Sequence, residues 1–160
     1  MTAYDASQWT DLFVATAGAS AALAGLVFVA VSINIDRILK FEGLPERALE
    51  TVLLLLGVLL VSVIGLIPGQ SHVALGAELL GVSLAIGAFI ARLPTTGAER
   101  RSWLLSRWAV RMAGTVPLIV GGASVLFEAG GGLYWVVAGI LLALVGAVAN
   151  AWVLLVEILR

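Results

Sequence analysis

Four ionisable residues lie inside or beside long apolar segments, where a charge is costly unless it is paired or used. They are Asp36, Glu50, Arg111 and Glu157. Each lies within one or two helical turns of the same end of the predicted helices, so we predict an ion-pair cluster centred on Arg111. The alternative is a gate or a proton pathway, because ionisable groups in an apolar solvent mark such sites.

A second set of polar residues is compatible with ion binding. Glu78 lies about one turn inside an apolar segment, with no basic residue on its side, so it either extends to the boundary of the segment or binds a cation or proton. Acidic side chains near it would concentrate cations. This acidic set is Asp5, Asp11, Glu78 and Glu128. A stripe on the first segment would line a narrow pore in an oligomer: Thr16, Ser20, Ala24, Val27, Val31 and Asn34.

Other chemistries lack their residues in this sequence. It has no cysteine, which excludes disulfides, thiolate metal sites and thiol catalysis. His72 is the only histidine, so two imidazoles of one chain cannot share a metal; we expect a solvated loop residue, with a pH sensor as the alternative. Intramembrane proteases use either a serine with a membrane-embedded base or two facing aspartates, and the sequence contains neither combination. We predict no enzymatic activity, no cofactor and no metal site.

Composition indicates the solvent in which these residues lie. Of 160 residues, 61% are hydrophobic and 12% are charged, and the mean hydropathy is +1.11. A soluble domain of this size could not bury so much apolar surface and would aggregate. The sequence therefore predicts an integral membrane protein in contact with lipid, without a nucleic-acid partner.

Five segments are long and apolar enough to cross a bilayer, which takes about 20 residues. We predict an all-α bundle of five transmembrane helices in a single domain over residues 1–160. The spans are 12–35, 49–67, 73–91, 108–127 and 133–156. Leu44 and Pro45 indicate that the second helix begins before its span does. Thr96 and Glu99 match a capping box, which predicts a short interfacial helix leading into the fourth span.

The basic residues predict one orientation. All nine lysines and arginines fall between spans one and two, between spans three and four, just inside the fourth span, or at the end of the chain. Because Lys and Arg are retained on the cytoplasmic side, the N-terminus is predicted outside and the C-terminus in the cytoplasm. No basic stretch precedes the first span, so we expect that span to be retained rather than cleaved as a signal peptide.

Small residues spaced four apart predict helix contacts, since close backbone approach drives association in lipid. Such rows occur on spans one, three and five, whereas span two is bulky. We therefore predict spans one, three and five at the centre and span two facing lipid. The rows are Ala17, Ala21 and Gly25; Ala77, Gly81 and Ala85; and Gly139, Ala143, Ala147 and Ala151. A hydrogen bond between Asn34 and Asn150 is a further expected contact.

Three stretches resemble a family of small actinobacterial membrane proteins. They are WTDLFVATAGASAALAGLVFVAVSINIDRIL at 9–39, LPERALE at 44–50 and IPGQ at 67–70. Some members are labelled modulators of the membrane protease FtsH. The resemblance implies a bacterial plasma-membrane location and a multi-pass topology, and it carries no site residues. The ratio of eight arginines to one lysine is also typical of a bacterium with a GC-rich genome.

Two functions remain open at this point. The first is a non-enzymatic protein that self-associates, as a homo-oligomer, or docks on another membrane complex, such as a protease. The alternative is a homo-oligomeric ion channel or small transporter with span one lining the pore. The small-residue rows favour the first function, because the polar stripe of span one is mostly apolar and fits packing equally well.

Overall fold

Helices are the only regular structure in the part of the chain that is described. The computed structural model describes residues 2–94 and 101–159, with the side chains of residues 3–94 and 108–156. Two 3₁₀ helices, Thr2–Tyr4 and Ala6–Trp9, precede six α-helices. These are α1 (Thr10–Ile33), α2 (Ile35–Ile38), α3 (Leu44–Gly65), α4 (His72–Arg92), α5 (Arg101–Leu126) and α6 (Leu133–Leu159).

Five of these helices are long and apolar enough to cross a membrane, which confirms the predicted all-α, five-span fold. The candidate spans are Ala6–Ile33, Leu44–Gly65, His72–Arg92, Trp108–Leu126 and Leu133–Val156. The second helix begins at Leu44, and Pro45 lies in its first turn, as predicted, where a missing N–H leaves no hydrogen bond unmade. The predicted capping box at 96–99 lies outside the described residues.

The helices form a ring of four with one helix outside it. Each of α3, α4, α5 and α6 packs on the next, and α6 closes the ring on α3. Apolar side chains fill its interior, including Leu54, Val58, Leu79, Leu118 and Ile140. Helix α1 lies outside the ring and packs almost entirely on α3. Its free surface is correspondingly large: within an 18-residue stretch of the span, 17% is buried for α1, against 56% for α3.

The predicted order of burial is therefore wrong. The second span, α3, was expected to face lipid and is the most buried of the five, whereas the first span is the least buried. The reason lies in the facing helices, because bulky side chains of α3 fill hollows that glycines leave. A Cβ atom added at Gly114 would lie 2.9 Å from Leu54 Cδ2, and one at Gly146 would lie 3.7 Å from Leu54 Cδ1.

The three small-residue rows have different surroundings. The row on α6 is buried except at Ala151, which is partly buried, and a Cβ atom at Gly139 would lie 2.9 Å from the backbone nitrogen of Leu118. The rows on α1 and α4 face outward for the most part, and a Cβ atom at Gly25 or Gly81 would have nothing within 4 Å. The α6 row is thus used within the chain, whereas the other two rows are open.

Charge distinguishes the two ends of the bundle. We call one the basic end, because Arg37, Lys40 and Arg47 lie in or beside the α1–α3 connection and Arg92 ends α4. We call the other the acidic end: Asp5, Glu78 and Glu128 lie there, and the sequence of its segments contains no Lys or Arg.

Candidate polar site inside the helix bundle

The most buried charges of the described chain are Glu50 and Arg111, near the basic end. Glu50 lies six residues after Leu44, the first residue of α3, and Arg111 lies one turn inside the apolar part of α5. The periodicity of α3 points Glu50 inward, since it shares the buried side of the helix with Leu54. The ring topology sets α5 across the bundle from α3, which places the two side chains within reach of each other.

One ion pair joins the two helices, and two further hydrogen bonds extend it to the rest of the ring. Arg111 Nε donates to Glu50 Oε2 at 2.9 Å, and Arg111 Nη1 donates to the carbonyl oxygen of Leu93, just after α4, at 3.2 Å. Asn150 Nδ2 of α6 donates to Glu50 Oε1 at 3.3 Å. Side chains or backbone of α3, α4, α5 and α6 therefore meet in one network.

Burial makes this network electrostatically strong. The side chains of Arg111 and Glu50 are 0% and 2% exposed, so water screens their attraction very little. The Arg111 guanidinium also lies 5.8 Å from the centre of the Trp108 ring, a cation–π contact. The planar guanidinium of an arginine donates several hydrogen bonds in a fixed geometry, which suits it to hold a buried carboxylate and a carbonyl oxygen at the same time. The arrangement is suited to fixing the helices against one another.

The predicted cluster is thus present in part. The structure brings Glu50 and Arg111 together, whereas Asp36 is exposed on α2 and the side chain of Glu157 lies outside the described residues. Asn150 was expected to pair with Asn34 and instead contacts Glu50, while Asn34 Nδ2 donates to the carbonyl of Ala30 in its own chain segment. The polar side chain of Asn150 within an apolar helix was the sequence signal that it has a polar partner. Which partner it has depended on α6 closing the ring beside α3.

The part of the α1 polar stripe that contains Thr16 and Ser20 faces α3. Thr16 and Ser20 are buried, and Thr16 Oγ1 lies 2.8 Å from Ser62 Oγ of α3. Ser20 Oγ donates to the carbonyl of Ala17 at 3.1 Å. These hydroxyls have partners within the chain, and α3 covers the side of α1 on which they lie. The pore hypothesis stays a prediction.

Polar contacts at the acidic end connect neighbouring segments. Gln70 Nε2 donates to Glu78 Oε2 at 2.7 Å, so Glu78 has a neutral partner. His72 is the first residue of α4 rather than a loop residue, and its Nδ1 lies 3.7 Å from Glu128 Oε1. Hydrogen bonds from the side chain and backbone of Ser7 hold the pKa of Asp5 below its usual value.

A shallow, open cleft of about 630 Å³ lies among these groups. Its lining residues are Tyr4, Asp5, Gln70, Ser71, His72 and Glu128. In the described part of the chain, no three acidic or histidine side chains converge in a way that could hold a metal ion. The cleft therefore has a polar surface without the geometry of a coordination site.

Comparison with family models, with curated proteins and with solved structures finds no match to this chain.

Proposed function

We propose that this chain is a non-enzymatic, multi-pass membrane protein that self-associates through the outward side of α1. The observation that carries the proposal is the α1 open face, which we define as Gly18, Ala22 and Gly25. All three residues are exposed, and a Cβ atom at either glycine would have nothing within 4 Å. Positions 18, 22 and 25 follow one side of a helix, so they form one shallow groove.

A second helix fills such a groove better than lipid does. Large apolar side chains flank it, among them Val14, Leu26 and Val29, which are 56%, 68% and 55% exposed. In a bilayer, helices gain most where small residues let two backbones approach and flanking side chains interlock. The α1 open face is uncharged, so nothing on it favours a charged partner over a helix of the same kind.

A second copy of this chain is the occupant we propose. Two copies in one membrane have the same orientation, so two α1 helices can meet in parallel about a twofold axis, each presenting the same face. Such a contact uses a surface that the chain leaves free and disturbs none of the ring. The distribution of basic residues favours an N-terminus outside and a C-terminus in the cytoplasm of a bacterial cell.

Cysteine crosslinking in native membranes tests this contact directly, because the chain contains no cysteine of its own. We expect Ala22→Cys to form a disulfide-linked dimer on mild oxidation. Val145→Cys is the matched control: it lies 12 residues after the start of α6, as Ala22 does in α1, and is 67% exposed. We expect no dimer from it.

A pair of glycine variants identifies the face used. Gly18→Leu adds a side chain where the chain offers open space, so the fold should be kept while the dimer dissociates to monomer in nanodiscs. Gly81→Leu does the same on α4 and should leave the dimer intact. Dissociation by Gly81→Leu alone would contradict the α1 contact, and so would a monomeric wild type whose Ala22→Cys variant crosslinks only to a different protein. That second outcome would favour docking on another membrane complex.

A further inference from the structure

The α1 open face belongs to a longer row of exposed residues on the same helix. The row advances by four and then three residues in turn, so it repeats every seven residues and follows one side of the helix. We call it the α1 seam: Asp11, Ala15, Gly18, Ala22, Gly25, Val29 and Ser32. The buried side chains of α1, Phe13, Thr16 and Ser20, lie on the opposite side. The seam is therefore free over almost the whole length of the helix.

The spacing of the α1 seam predicts how two copies cross. Helices that meet along a seven-residue repeat cross at a shallow angle of about 20° and stay in contact over several turns. In the parallel dimer proposed above, the contact then continues from Gly18 to the start of α1 at the acidic end. Across a twofold axis, each seam residue faces its counterpart in the other copy. At this end of the contact, Asp11 of one copy therefore faces Asp11 of the other.

Asp11 is the only charged residue of the α1 seam. It lies in the first turn of α1, it is exposed, and no ion pair among the described residues includes it. The chain has no Lys or Arg before Arg37, so a second α1 brings no basic side chain to this end. Asp5, six residues earlier, adds negative charge instead. The dimer thus creates a repulsion between carboxylates that the monomer lacks.

We propose that cations at the acidic end control the dimer by neutralising the two Asp11 carboxylates. This inference rests on the proposed self-association through α1. Without cations, repulsion between the carboxylates weakens the contact at that end; with them, the seam closes over its full length. A negative charge in the first turn also stabilises the helix that carries it. Asp11 therefore favours α1 in the monomer and opposes the dimer.

Energy transfer between labelled copies in phosphatidylcholine vesicles measures the dissociation constant of the dimer. The dyes are attached to Phe127→Cys, a position that is 75% exposed and outside α1. We expect Asp11→Ala to lower the dissociation constant by about three- to tenfold, because the repulsion is removed and no new hydrogen bond is added. Glu78→Gln, which removes a negative charge from α4 at the same end, is the matched control and should leave the constant unchanged.

Magnesium chloride at millimolar concentration tests the response to cations. We expect it to lower the dissociation constant of the wild type by about threefold and to leave that of Asp11→Ala unchanged. Sodium chloride at equal ionic strength separates two ways of neutralising the carboxylates. An equal effect of the two salts indicates screening, whereas a larger effect of magnesium indicates an ion held between the two copies.

Cysteine crosslinking shows whether the contact reaches Asp11. We expect Ala15→Cys to crosslink as Ala22→Cys does, and Ala19→Cys, which is exposed on α1 but lies off the seam, to stay monomeric. If Ala22→Cys crosslinked and Ala15→Cys did not, the contact would end short of Asp11 and this inference would be wrong, whereas self-association through α1 would stand.

The energy-transfer assay separates the same two failures. A dissociation constant that neither Asp11→Ala nor magnesium changes would overturn the control by cations, and the α1 contact would survive provided that Gly18→Leu still dissociates the dimer. Absence of energy transfer in the wild type and in Asp11→Ala, with and without magnesium, would overturn both the control by cations and the proposed function.

Discussion

Glycine has opposite surroundings in α1 and at the contact between α4 and α5 of the ring. Within the ring, a Cβ atom at Gly76 would lie 2.4 Å from the backbone nitrogen of Leu126, and one at Gly122 would lie 2.5 Å from that of Leu80, so α4 and α5 touch at these points. In α1, Gly18 and Gly25 have nothing within 4 Å. Glycine therefore marks an occupied contact between α4 and α5 and an open surface on α1.

This difference separates what holds the chain together from what it offers to a partner. The ring is joined by close helix contacts and by a buried ion pair, whereas α1 is attached on one side only. Changes in the ring should therefore act on folding, and changes on the outward side of α1 should act on association.

The largest effect is expected from the ion pair of the ring. Glu50→Leu leaves Arg111 buried without an acidic partner in the described part of the chain, and should lower the free energy of unfolding by about 3–5 kcal/mol. Reversible unfolding in mixed micelles, followed by fluorescence of the five tryptophans, measures the change.

The double variant Glu50→Leu with Arg111→Met is the control. It removes both charges and replaces them by apolar groups, so it should regain most of the lost stability. If the double variant were as unstable as the single one, the unpaired charge would not be the cause of the lost stability. The loss would then come from the altered packing at the network.

A smaller effect is expected from two glycines of one helix. Gly76→Ala places a methyl group against the backbone of Leu126 and should cost about 1–3 kcal/mol, whereas Gly81→Ala meets open space and should be neutral or gain up to about 1 kcal/mol. The same unfolding assay compares them. Because both glycines lie in α4, equal gains in stability would show that helix propensity decides the outcome rather than contact between helices.

The sequence predicted the helices well and their arrangement less well. Hydropathy alone located five spans, because a bilayer demands about 20 apolar residues in each. The positions of Glu50 and Arg111, at a similar depth within the predicted spans, also identified them as partners. Burial of α3 was missed because small-residue rows show where helices are able to approach, and not which row is occupied. The contact of Asn150 with Glu50 depended on closure of the ring by α6, which no local pattern signals.

The smallest effect is expected where α1 meets the ring. Thr16 Oγ1 and Ser62 Oγ form a buried hydrogen bond between α1 and α3, and interhelical bonds of this kind in lipid are worth about 0.6 kcal/mol on average. Ser62→Ala should lower the free energy of unfolding by about that amount and leave Ala22→Cys crosslinking unchanged. Ser20→Ala, which removes a bond within α1, is the control for α1 itself. A loss of several kcal/mol on Ser62→Ala would show that α1 is an integral part of the ring fold, and the division between a folding unit and an attached helix would then have to be abandoned.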